Sequence, residues 1–460
     1  MSLSVNHIVY NRLHFAGILG SGMSAIAQYL CRAGLKISGS DRLIDDDATQ
    51  RTRSALVSAG CRIHPQDGSG VTLEMEALVV STAIEENNSD IVNARALGIP
   101  ILHRADVLAA IVATKRTVAV TGTSGKSTVT ALIFHLLRAC GKDPSLITGA
   151  GLNSLSGNGA LGNSFNGASD LLVIEADESD GSLVKYKPFI SVFLNASKDH
   201  KPVDVTLGYF QTLARRSAHV FVSHEDASLR ALTAAKTFGL AKEADFHPDK
   251  LEANRESVTL IKDKTRFTLP FPGKHNAQNL LAALQVCRFL GCQDTTSSDA
   301  TRSYKGIERR WDRIETAKGI TVIDDYAHNP EKIAAVLTTV QDISPRVIAV
   351  FQPHGFGPTR FLLDDYIATF NRMMRPDDVL YLLPIYYAGG TAAKDVSSDD
   401  IAAGLTAGKT TVLTPRARDM TPALIAAAAR PGDIVISMGA RDPSLPGFAK
   451  SIARAIDAKA

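Results

Sequence analysis

The chain has 460 residues, of which 45% are hydrophobic and 21% charged, and its 50 Lys and Arg residues nearly balance 47 Asp and Glu residues. This composition excludes a disordered or collagen-like chain, and a net charge of +3 without a basic run argues against a nucleic-acid partner. Five cysteines without a CxxC pair, no signal-like opening and no apolar run of 18 residues predict a cytoplasmic protein with free thiols and no membrane partner.

Apolar strand-like runs alternate with amphipathic helical patterns, which predicts an α/β fold with parallel sheets. In the first block a glycine turn joins the first strand to the first helix, as in a Rossmann-like domain, which we place at residues 1–114. The predicted elements of this block are strand 14–18, helix 23–33, strand 35–39, strand 77–81, helix 89–96 and strand 99–103.

A second α/β block covers residues 115–305. The segment 149–169 is rich in Gly, Ser and Asn without periodicity, so we predict a loop near the site. The predicted elements here are strand 116–121, helix 127–140, strand 170–175, strand 189–195, helix 207–214 and a buried helix 276–289.

A third block of the same kind covers residues 306–460, so the chain is predicted to hold three α/β domains. We find no internal repeat with a period of 20–50 residues. The predicted elements are strand 321–325, helix 330–340, strand 347–352, helix 361–374, strand 378–383, strand 433–437 and helix 447–458.

The strongest local signal is TGTSGKST at 121–128, between an apolar strand and a helix. In such a loop the backbone N–H groups point at phosphate oxygens, and the following helix N-terminus adds positive charge. Lys126 would reach the outer phosphates and Ser127 would coordinate Mg²⁺. The usual Walker glycine is Val120 here, so only the shorter Gly-Thr-x-Gly-Lys-Ser form is present. The candidate ATP-binding residues of this loop are Gly122, Thr123, Ser124, Gly125, Lys126, Ser127 and Thr128.

Two polar clusters follow predicted strands of the same block. Glu175 to Asp180 (EADESD) come directly after an apolar run, and Asp199 and His200 lie shortly after the strand-ending Asn195. Because ligands for Mg²⁺-ATP converge from the ends of neighbouring parallel strands, we expect these side chains near the phosphate loop.

The first domain has a glycine turn that resembles a dinucleotide fingerprint. Gly17, Gly20 and Gly22 are spaced Gly-x-x-Gly-x-Gly, which is not the GxGxxG order, so NAD is weakly supported. Asp41 follows Gly22 by 19 residues at the end of the next strand, where a carboxylate can accept ribose hydroxyl hydrogen bonds.

With these residues in place, the chain resembles the Mur ligase family, and most closely the branch that couples an amino acid or peptide to UDP-N-acetylmuramate. The resemblance covers residues 14 to about 442 and depends on the order and spacing of its motifs. These are HFAGILGSGMSAIA (14–27), SGSD (38–41), GTSGKST (122–128), EADESD (175–180), NASKDH (195–200), GKHNAQN (273–279), ERRW (308–311), DDYAHNP (324–330) and FQPHGFGPTR (351–360).

The resemblance implies ATP-dependent amide bond formation in peptidoglycan precursor synthesis. The substrate carboxylate attacks the γ-phosphate of ATP to give an acyl phosphate and ADP, and an amine then displaces phosphate. It also implies a UDP-sugar-binding domain at 1–114, a central P-loop ATPase domain at 115–305 and a C-terminal Rossmann-like domain at 306–460 that contacts the amino acid and ATP.

The same resemblance assigns roles to individual residues. The implied Mg²⁺ ligands are Ser127, Glu175 and His200. The implied catalytic set is Lys126, Glu175, His200, His328 and His354, and the implied acceptor pocket is Asn329, His354 and Arg360. Outside the loop, the implied ATP-binding residues are His275, Asn276 and Asn279 toward adenine, Arg310 toward phosphate and Asp325 toward ribose. The implied UDP-sugar residues are Gly20, Ser21, Gly22, Met23, Asp41, Ser81 and Ala83.

Two departures leave the acceptor open. The alanine-adding branch usually reads FQPHRYxRTR, and here Gly355 and Pro358 replace two arginines. Arginines there would meet anionic groups of the acceptor through forked hydrogen bonds. L-Alanine remains the default acceptor, while a murein peptide, another amine, or a non-catalytic protein that binds ATP and UDP-sugar are the alternatives. Oligomeric state is not predicted.

Overall fold

The structure is a computed structural model, and it describes residues 2–157, 159–198, 201–232, 235–387, 389, 392–406, 408 and 410–459. The chain forms two compact units. The first comprises Met1–Glu252, Thr259–Pro270 and Ala277–Ile307, and the second comprises Ala253–Val258, Phe271–Asn276 and Glu308–Ala460. Within the described residues, no helix combines the length and the apolarity needed to cross a membrane.

The first 115 residues form a parallel sheet with flanking helices. Their elements are β1 (Leu3–Val5), β2 (Ile8–Tyr10), β3 (Arg12–Ala16), α1 (Ser21–Arg32), β4 (Lys36–Asp41), α2 (Gln50–Ser58), β5 (Arg62–Pro65), β6 (Ala77–Val80), α3 (Ser89–Ala96), β7 (Ile101–His103) and α4 (Arg104–Ala113). The sheet order is β5-β4-β3-β6-β7, and every neighbouring pair is parallel. The predicted strands and helices are present, but α2, β5, α4 and the strands β1 and β2, which pair with each other antiparallel, were not predicted.

The next part of the chain builds a larger sheet. Its elements are β8 (Arg116–Thr121), α5 (Lys126–Ala139), β9 (Ser145–Ile147), β10 (Ser164–Phe165), β11 (Leu171–Glu175), β12 (Ile190–Phe193), α6 (Val203–Arg215), β13 (His219–Ser223), β14 (Lys236–Phe238), β15 (Lys250–Ala253), β16 (Val258–Lys262), β17 (Thr265–Leu269), α7 (Lys274–Phe289) and α8 (Asp294–Arg302). The large sheet has the order β10-β9-β11-β8-β12-β13-β14, and β15-β16-β17 form a small separate sheet. All pairs of the large sheet are parallel except β10 with β9.

The segment 149–169 is not irregular throughout, so the loop prediction is wrong at its end. Ser164 and Phe165 form the edge strand β10, which pairs with Leu146 and Ile147 of β9. Asn163, directly before β10, is only 4% exposed. The composition of this segment hides the strand because β10 has only two residues and no room for an alternating pattern.

The second unit carries the third block. Its elements are β18 (Asp312–Glu315), β19 (Thr321–Asp325), α9 (Pro330–Ile343), β20 (Val347–Gln352), α10 (Phe356–Phe361), α11 (Leu363–Met373), β21 (Val379–Leu382), α12 (Ser398–Ala403), β22 (Thr411–Leu413), α13 (Thr421–Ala428), β23 (Ile434–Gly439) and α14 (Leu445–Asp457). The sheet order is β18-β19-β23-β20-β21-β22, with only β18 antiparallel. α9 and α11 pack on one face, and α13 and α14 pack on the other. Short 3-10 helices occupy Asp47–Thr49, Ser182–Lys185, Ala227–Ala231 and Arg418–Met420.

The prediction of an α/β fold with parallel sheets is confirmed, with one correction in the third block. The helix predicted at 361–374 is α11; α10 precedes it, was not predicted and is a separate helix because the backbone leaves helical geometry at Leu362 (φ −107°, ψ 10°). In each sheet the carboxyl ends of the central parallel strands meet at one edge. Ligands of open parallel sheets bind at that edge, and most predicted site residues lie there.

Candidate active site

The phosphate loop turns from β8 into α5 and is shaped by the end of β12. Gly125 has a φ of +86°, and a Cβ at this position would lie 2.7 Å from Asn279 Oδ1, so a side chain has no room. Asn195 Oδ1 accepts from Ser124 N and from Thr123 Oγ1, both at 2.8 Å, and Asn195 Nδ2 donates to Ser124 O at 3.1 Å. Asn195 therefore orders the loop, a role that the sequence analysis missed.

Lys126 lies in a cluster of carboxylates. Its Nζ donates to Glu178 Oε2 at 2.6 Å and lies 3.6 Å from Asp177 Oδ1. Burial lowers the pKa of Lys126, but Glu178, Asp177 and Glu175 outweigh burial and raise it above its ordinary value. Burial raises the pKa of Asp177, yet Lys126 and Ser179 lower it to about 2. Three carboxylates surround one ammonium, so the cluster holds an excess of two negative charges when all four groups are ionised.

Glu175 is fixed by three donors from two different segments. Ser127 Oγ donates to Glu175 Oε1 at 3.0 Å, while Thr148 Oγ1 and Gly149 N both donate to Glu175 Oε2 at 2.9 Å. The sequence analysis placed Ser127 and Glu175 together and put Gly149 in a loop near the site, but it assigned no role to Thr148 or Gly149. Both follow β9, which neighbours β11 in the sheet, and this is the signal that locates them.

The Ser127 hydroxyl and the Glu175 carboxylate fit a divalent cation in chemical type. Mg²⁺ prefers oxygen ligands and takes only one or two carboxylates when water and phosphate supply the rest. In the described part of the chain, no group of three or more His, Cys, Asp or Glu side chains is arranged to hold a metal. The predicted ligand His200 and its neighbour Asp199 lie outside the described residues.

The turn before α1 carries the predicted UDP-sugar residues Gly20, Ser21 and Gly22. Gly20 is the N-cap of α1, and a Cβ on Gly22 would lie 2.6 Å from Arg104 Nη1. Arg104 Nη2 donates to Asp180 Oδ2 at 3.0 Å. A guanidinium group therefore lies against the turn, and the sequence analysis missed it because residue 104 is far from the glycines in the chain.

Asp41 ends β4 beside this turn. Its Oδ2 accepts from Leu19 N and its Oδ1 accepts from Leu43 N, both at 3.0 Å. Its side chain is buried, so the carboxylate orders the two backbone segments next to the turn. The predicted contact with a ribose would use the remaining lone pairs of the same oxygens.

The other predicted residues of this domain differ in exposure. The Met23 side chain is buried in the hydrophobic core, so toward a ligand this residue offers its backbone. Ser81 and Ala83 follow β6, the neighbour of β3 in the sheet. Ile84, which closes their turn, lies 3.1 Å from the position of a Cβ on Gly17, so the two turns are adjacent.

In the second unit, three predicted ATP-binding residues lie near one another. Asp325 Oδ1 accepts from Ala327 N at 2.8 Å, and Asp325 Oδ2 accepts from Trp311 N at 3.0 Å. Arg310 Nη1 lies 3.9 Å from Asp325 Oδ1. Burial lowers the pKa of His275 below its ordinary value. The carboxylate of Asp325 opposes this lowering, and the cation of Arg310 adds to it.

Tyr326 follows Asp325 and contacts two arginines. The Cζ atoms of Arg309 and Arg310 lie 4.9 Å and 5.0 Å from the Tyr326 ring centroid. Arg310 is thus held by the aromatic face of Tyr326, which limits the positions that its guanidinium can take.

Asn276 is buried, and its Nδ2 donates to a backbone carbonyl four residues earlier at 2.7 Å.

His328 and His354 form the candidate centre of the third block. Their ring centroids are 5.3 Å apart, and His328 Nδ1 lies 2.8 Å from Tyr326 O. Burial, Lys332 and His354 lower the pKa of His328 well below its ordinary value, so its imidazole is neutral at pH 7. Asn329 Oδ1 accepts from Lys332 N at 3.0 Å and caps α9.

The predicted acceptor-pocket residue Arg360 lies at the end of α10. Its guanidinium donates to Asp395 and, at 3.1 Å, to the carbonyl of Ala393. Gly355 is the N-cap of α10 and has a φ of +70°, a conformation that L-residues rarely adopt. Gly355 and Pro358 bring no cation to this turn.

Three family models match the chain in order. "Mur ligase family, catalytic domain" matches residues 12–116, "Mur ligase middle domain" matches 120–287, and "Mur ligase, glutamate ligase domain" matches 309–441. A protein of Paenarthrobacter aurescens named UDP-N-acetylmuramate–L-alanine ligase is 34% identical over 454 residues, covering 95% of both chains. A protein of the same name from Anaeromyxobacter dehalogenans is 32% identical over 464 residues, covering 95% of this chain and 96% of its own.

Solved structures share the fold. The UDP-N-acetylmuramate–alanine ligase MurC of Thermotoga maritima superposes with a TM-score of 0.78 at 24% identity, covering 97% of this chain and 98% of its own. A murein peptide ligase of Psychrobacter arcticus superposes with a TM-score of 0.69 at 20% identity, covering 97% and 99%. Because both structures are less than 25% identical to this chain, they support its fold and nothing further.

Proposed function

The chain belongs to the Mur ligase family, and on that premise we propose that it joins the carboxylate of UDP-N-acetylmuramate to an amino acid, with L-alanine as the default, using ATP. Relatives 32–34% identical over 95% of the chain are named for this reaction. The observation that carries the proposal is the phosphate loop, in which Lys126 and the Ser127–Glu175 pair lie at one sheet edge. The reaction belongs to peptidoglycan precursor synthesis, and we assign it to the cytoplasm.

The proposed reaction has two steps. The substrate carboxylate attacks the γ-phosphorus of ATP, so that an acyl phosphate forms and ADP leaves. The amine of the acceptor then attacks the acyl carbon, and the tetrahedral intermediate expels inorganic phosphate. Both steps bring anionic groups together, so fixed positive groups and backbone N–H donors lower the barrier mainly by being in place beforehand.

We assign the phosphates of ATP to the loop residues Gly122 to Thr128, with Lys126 at the outer phosphates. Lys126 keeps its proton in a cluster of carboxylates, so it meets the nucleotide as a cation. Ser127 and Glu175 would hold Mg²⁺ beside the nucleotide phosphates, and His200 would be a ligand of a second Mg²⁺ that is shared with the substrate acyl group. Mg²⁺ when bound would supply charge neutralisation at the phosphates.

We assign the nucleoside part of ATP to residues of the helix start and of the third block. His275 and Asn276 would contact adenine, with Asn279 as support, because a side-chain amide both donates and accepts. Asp325 would accept from the ribose hydroxyls, and Arg310 would contact phosphate. The restraint of Arg310 by Tyr326 supports this role.

We assign UDP to the turn before α1 and the residues around it. The backbone N–H groups of Ser21, Gly22 and Met23 would face the diphosphate, as at other helix N-termini, and Gly20, whose N–H donates to Gly17 O at 3.2 Å, would shape the turn beside it. Asp41, Ser81 and Ala83 would contact the nucleoside. For the acceptor, His328, Asn329, His354 and Arg360 are the proposed pocket, in which His328 would present a neutral imidazole to the acceptor.

Two alternatives have a specific observation in their favour. Gly355 and Pro358 leave the turn before α10 without a cation, which favours an acceptor other than a free amino acid, such as a murein peptide. The same feature favours a protein that binds ATP and UDP-sugar without turnover. The two alternatives differ in whether any amine supports ADP release.

The test is release of ADP and phosphate from ATP with UDP-N-acetylmuramate and a panel of amino acids and short peptides. We expect release that requires both the sugar nucleotide and one acceptor, and the acceptor that we expect by default is L-alanine. The Lys126→Met variant, matched in length and uncharged, provides the control for contaminating ATPase. Binding of both nucleotides without release for any acceptor contradicts ligase activity and favours the non-catalytic alternative.

A further inference from the structure

A buried hydrogen-bond network joins the turn before α1 to Glu175, and Asn163 lies at its centre. Asn163 Nδ2 donates to Ser21 O at 3.3 Å and to Ser24 Oγ at 3.2 Å. Asn163 Oδ1 accepts from Gln28 Nε2 at 3.0 Å. The side chains of Asn163, Ser24 and Gln28 are at most 4% exposed. The amide thus uses both of its donors and its acceptor on the first two turns of α1.

The backbone of the same residue faces the other candidate site. Asn163 O accepts from Thr148 N at 3.0 Å, and Thr148 Oγ1 donates to Glu175 Oε2 at 2.9 Å. Glu175 Oε1 in turn accepts from Ser127 Oγ at 3.0 Å. A continuous path of hydrogen bonds therefore runs from the helix turn through Asn163 and Thr148 to Ser127, within one compact unit.

We infer that Asn163 is a positioning residue that sets the UDP-binding turn in register with the Glu175 carboxylate. The inference rests on the proposed function, because it assumes that the two ends of the path bind the two nucleotides. In-line attack of a carboxylate on a phosphate tolerates little displacement, and a misplacement of about 1 Å can cost about a hundredfold in rate. An asparagine fits this place since it donates twice and accepts once, which neither Asp nor Leu can do.

Asn163→Asp tests the inference, and Asn166→Asp is its matched control. Asn166 lies in the same segment, and its Nδ2 also donates to α1. Its acceptor is Tyr29 O, at a distance of 3.0 Å, which lies far from the turn before α1. Each substitution replaces an amide donor by a carboxylate that faces a carbonyl. The measurements are the Kd of UDP by calorimetry, kcat and KM with UDP-N-acetylmuramate and ATP, and the melting temperature.

We expect Asn163→Asp to lower kcat by about a hundredfold and to weaken UDP binding by about tenfold. Asn166→Asp is expected to leave both unchanged while also lowering the melting temperature, by less than Asn163→Asp because Asn166 is only half-buried. If the two variants lose activity and UDP affinity equally, Asn163 is merely structural and the inference is overturned. Where Asn163→Asp does not fold, Ser24→Ala removes one acceptor of the same amide and is expected to weaken UDP binding in the same direction, and an unchanged Kd for it overturns the inference.

The failure of the proposed function gives a different result. In that case the wild-type protein shows no turnover with any acceptor, whereas the calorimetric comparison of the two variants still reports on the network. A selective loss of UDP affinity in Asn163→Asp then supports the positioning role by itself.

Discussion

Replacing Lys126 with methionine tests the electrostatic account of the phosphate loop. Glu178 is 5% exposed in its side chain and is compensated by the Lys126 ammonium at 2.6 Å. Without that cation, Glu178 avoids a buried unpaired charge by binding a proton. At pH 7, protonating a carboxyl with an ordinary pKa near 4.3 costs about 4 kcal/mol, and at pH 5.5 it costs about 2 kcal/mol. The cost of protonating Glu178 is therefore an upper limit on the stability that Lys126→Met loses, and this limit is lower at pH 5.5 than at pH 7.

The sign of this pH dependence follows from linkage. In Lys126→Met the pKa of Glu178 in the folded protein is raised above its unfolded value, in the direction that burial already favours. Its contribution is then fully present below about pH 4 and is lost as the pH rises through the raised pKa. Asp177 is 41% exposed in its side chain and remains hydrated, so Glu178 dominates the effect.

The assay is urea unfolding of the wild type, Lys126→Met, Glu178→Gln and the double variant at pH 5.5 and pH 7. We expect Lys126→Met to be destabilised by about 2 kcal/mol more at pH 7 than at pH 5.5. The double variant is expected to recover most of the stability and to lose this pH dependence, because the buried carboxylate of Glu178 is gone and Asp177 remains hydrated. An equal destabilisation of Lys126→Met at both pH values, or a double variant as unstable as the single one, refutes the reasoning.

Three further predictions follow from single contacts. Thr148→Val removes a donor to Glu175. In a Mg²⁺ titration, this variant should need about ten times more Mg²⁺ for half-maximal activity, and its KM for UDP-N-acetylmuramate should be unchanged. Arg441 has a φ of +63°, so Arg441→Gly should stabilise the protein by about 1 kcal/mol in urea unfolding. Burial, with a smaller effect of His64, lowers the pKa of His14 to about 3, so stability should fall as the pH drops from about 6.5 towards 3. In His14→Gln, acid unfolding monitored by circular dichroism should lack this part of the loss.

The features that the sequence predicted well are those that depend on residues close together in the chain. The strand Arg116–Thr121 is an apolar run bounded by a charge and a glycine, and its predicted bounds agree with the structure. Glu175 could be placed near Ser127 because Glu175 ends β11 and the loop to Ser127 follows β8, and these strands are parallel neighbours whose ends meet at one edge. Local pattern and sheet topology were sufficient for these residues.

The features that the sequence could not predict depend on contacts between distant segments. Asn163 lies in a segment without periodicity, and its partner Gln28 is 135 residues away in the chain. Arg104 reaches the glycine turn only because α4 packs in the same unit, and Asp180 then fixes its guanidinium. A polar residue in an irregular segment is usually a solvated one, so only its burial in the fold identifies the role.

On the proposed function, the charges at the phosphate loop predict that a divalent cation enters the site together with the nucleotide. Glu178 and Asp177 neutralise Lys126 and leave an excess of negative charge that includes Glu175. A nucleotide brings further negative charge, so it opposes that excess unless a cation enters with it. A divalent ion at Ser127 and Glu175 would offset the excess of two and leave Lys126 available to the phosphates. Since such coupling is reciprocal, nucleotide and cation would each raise the affinity of the proposed site for the other.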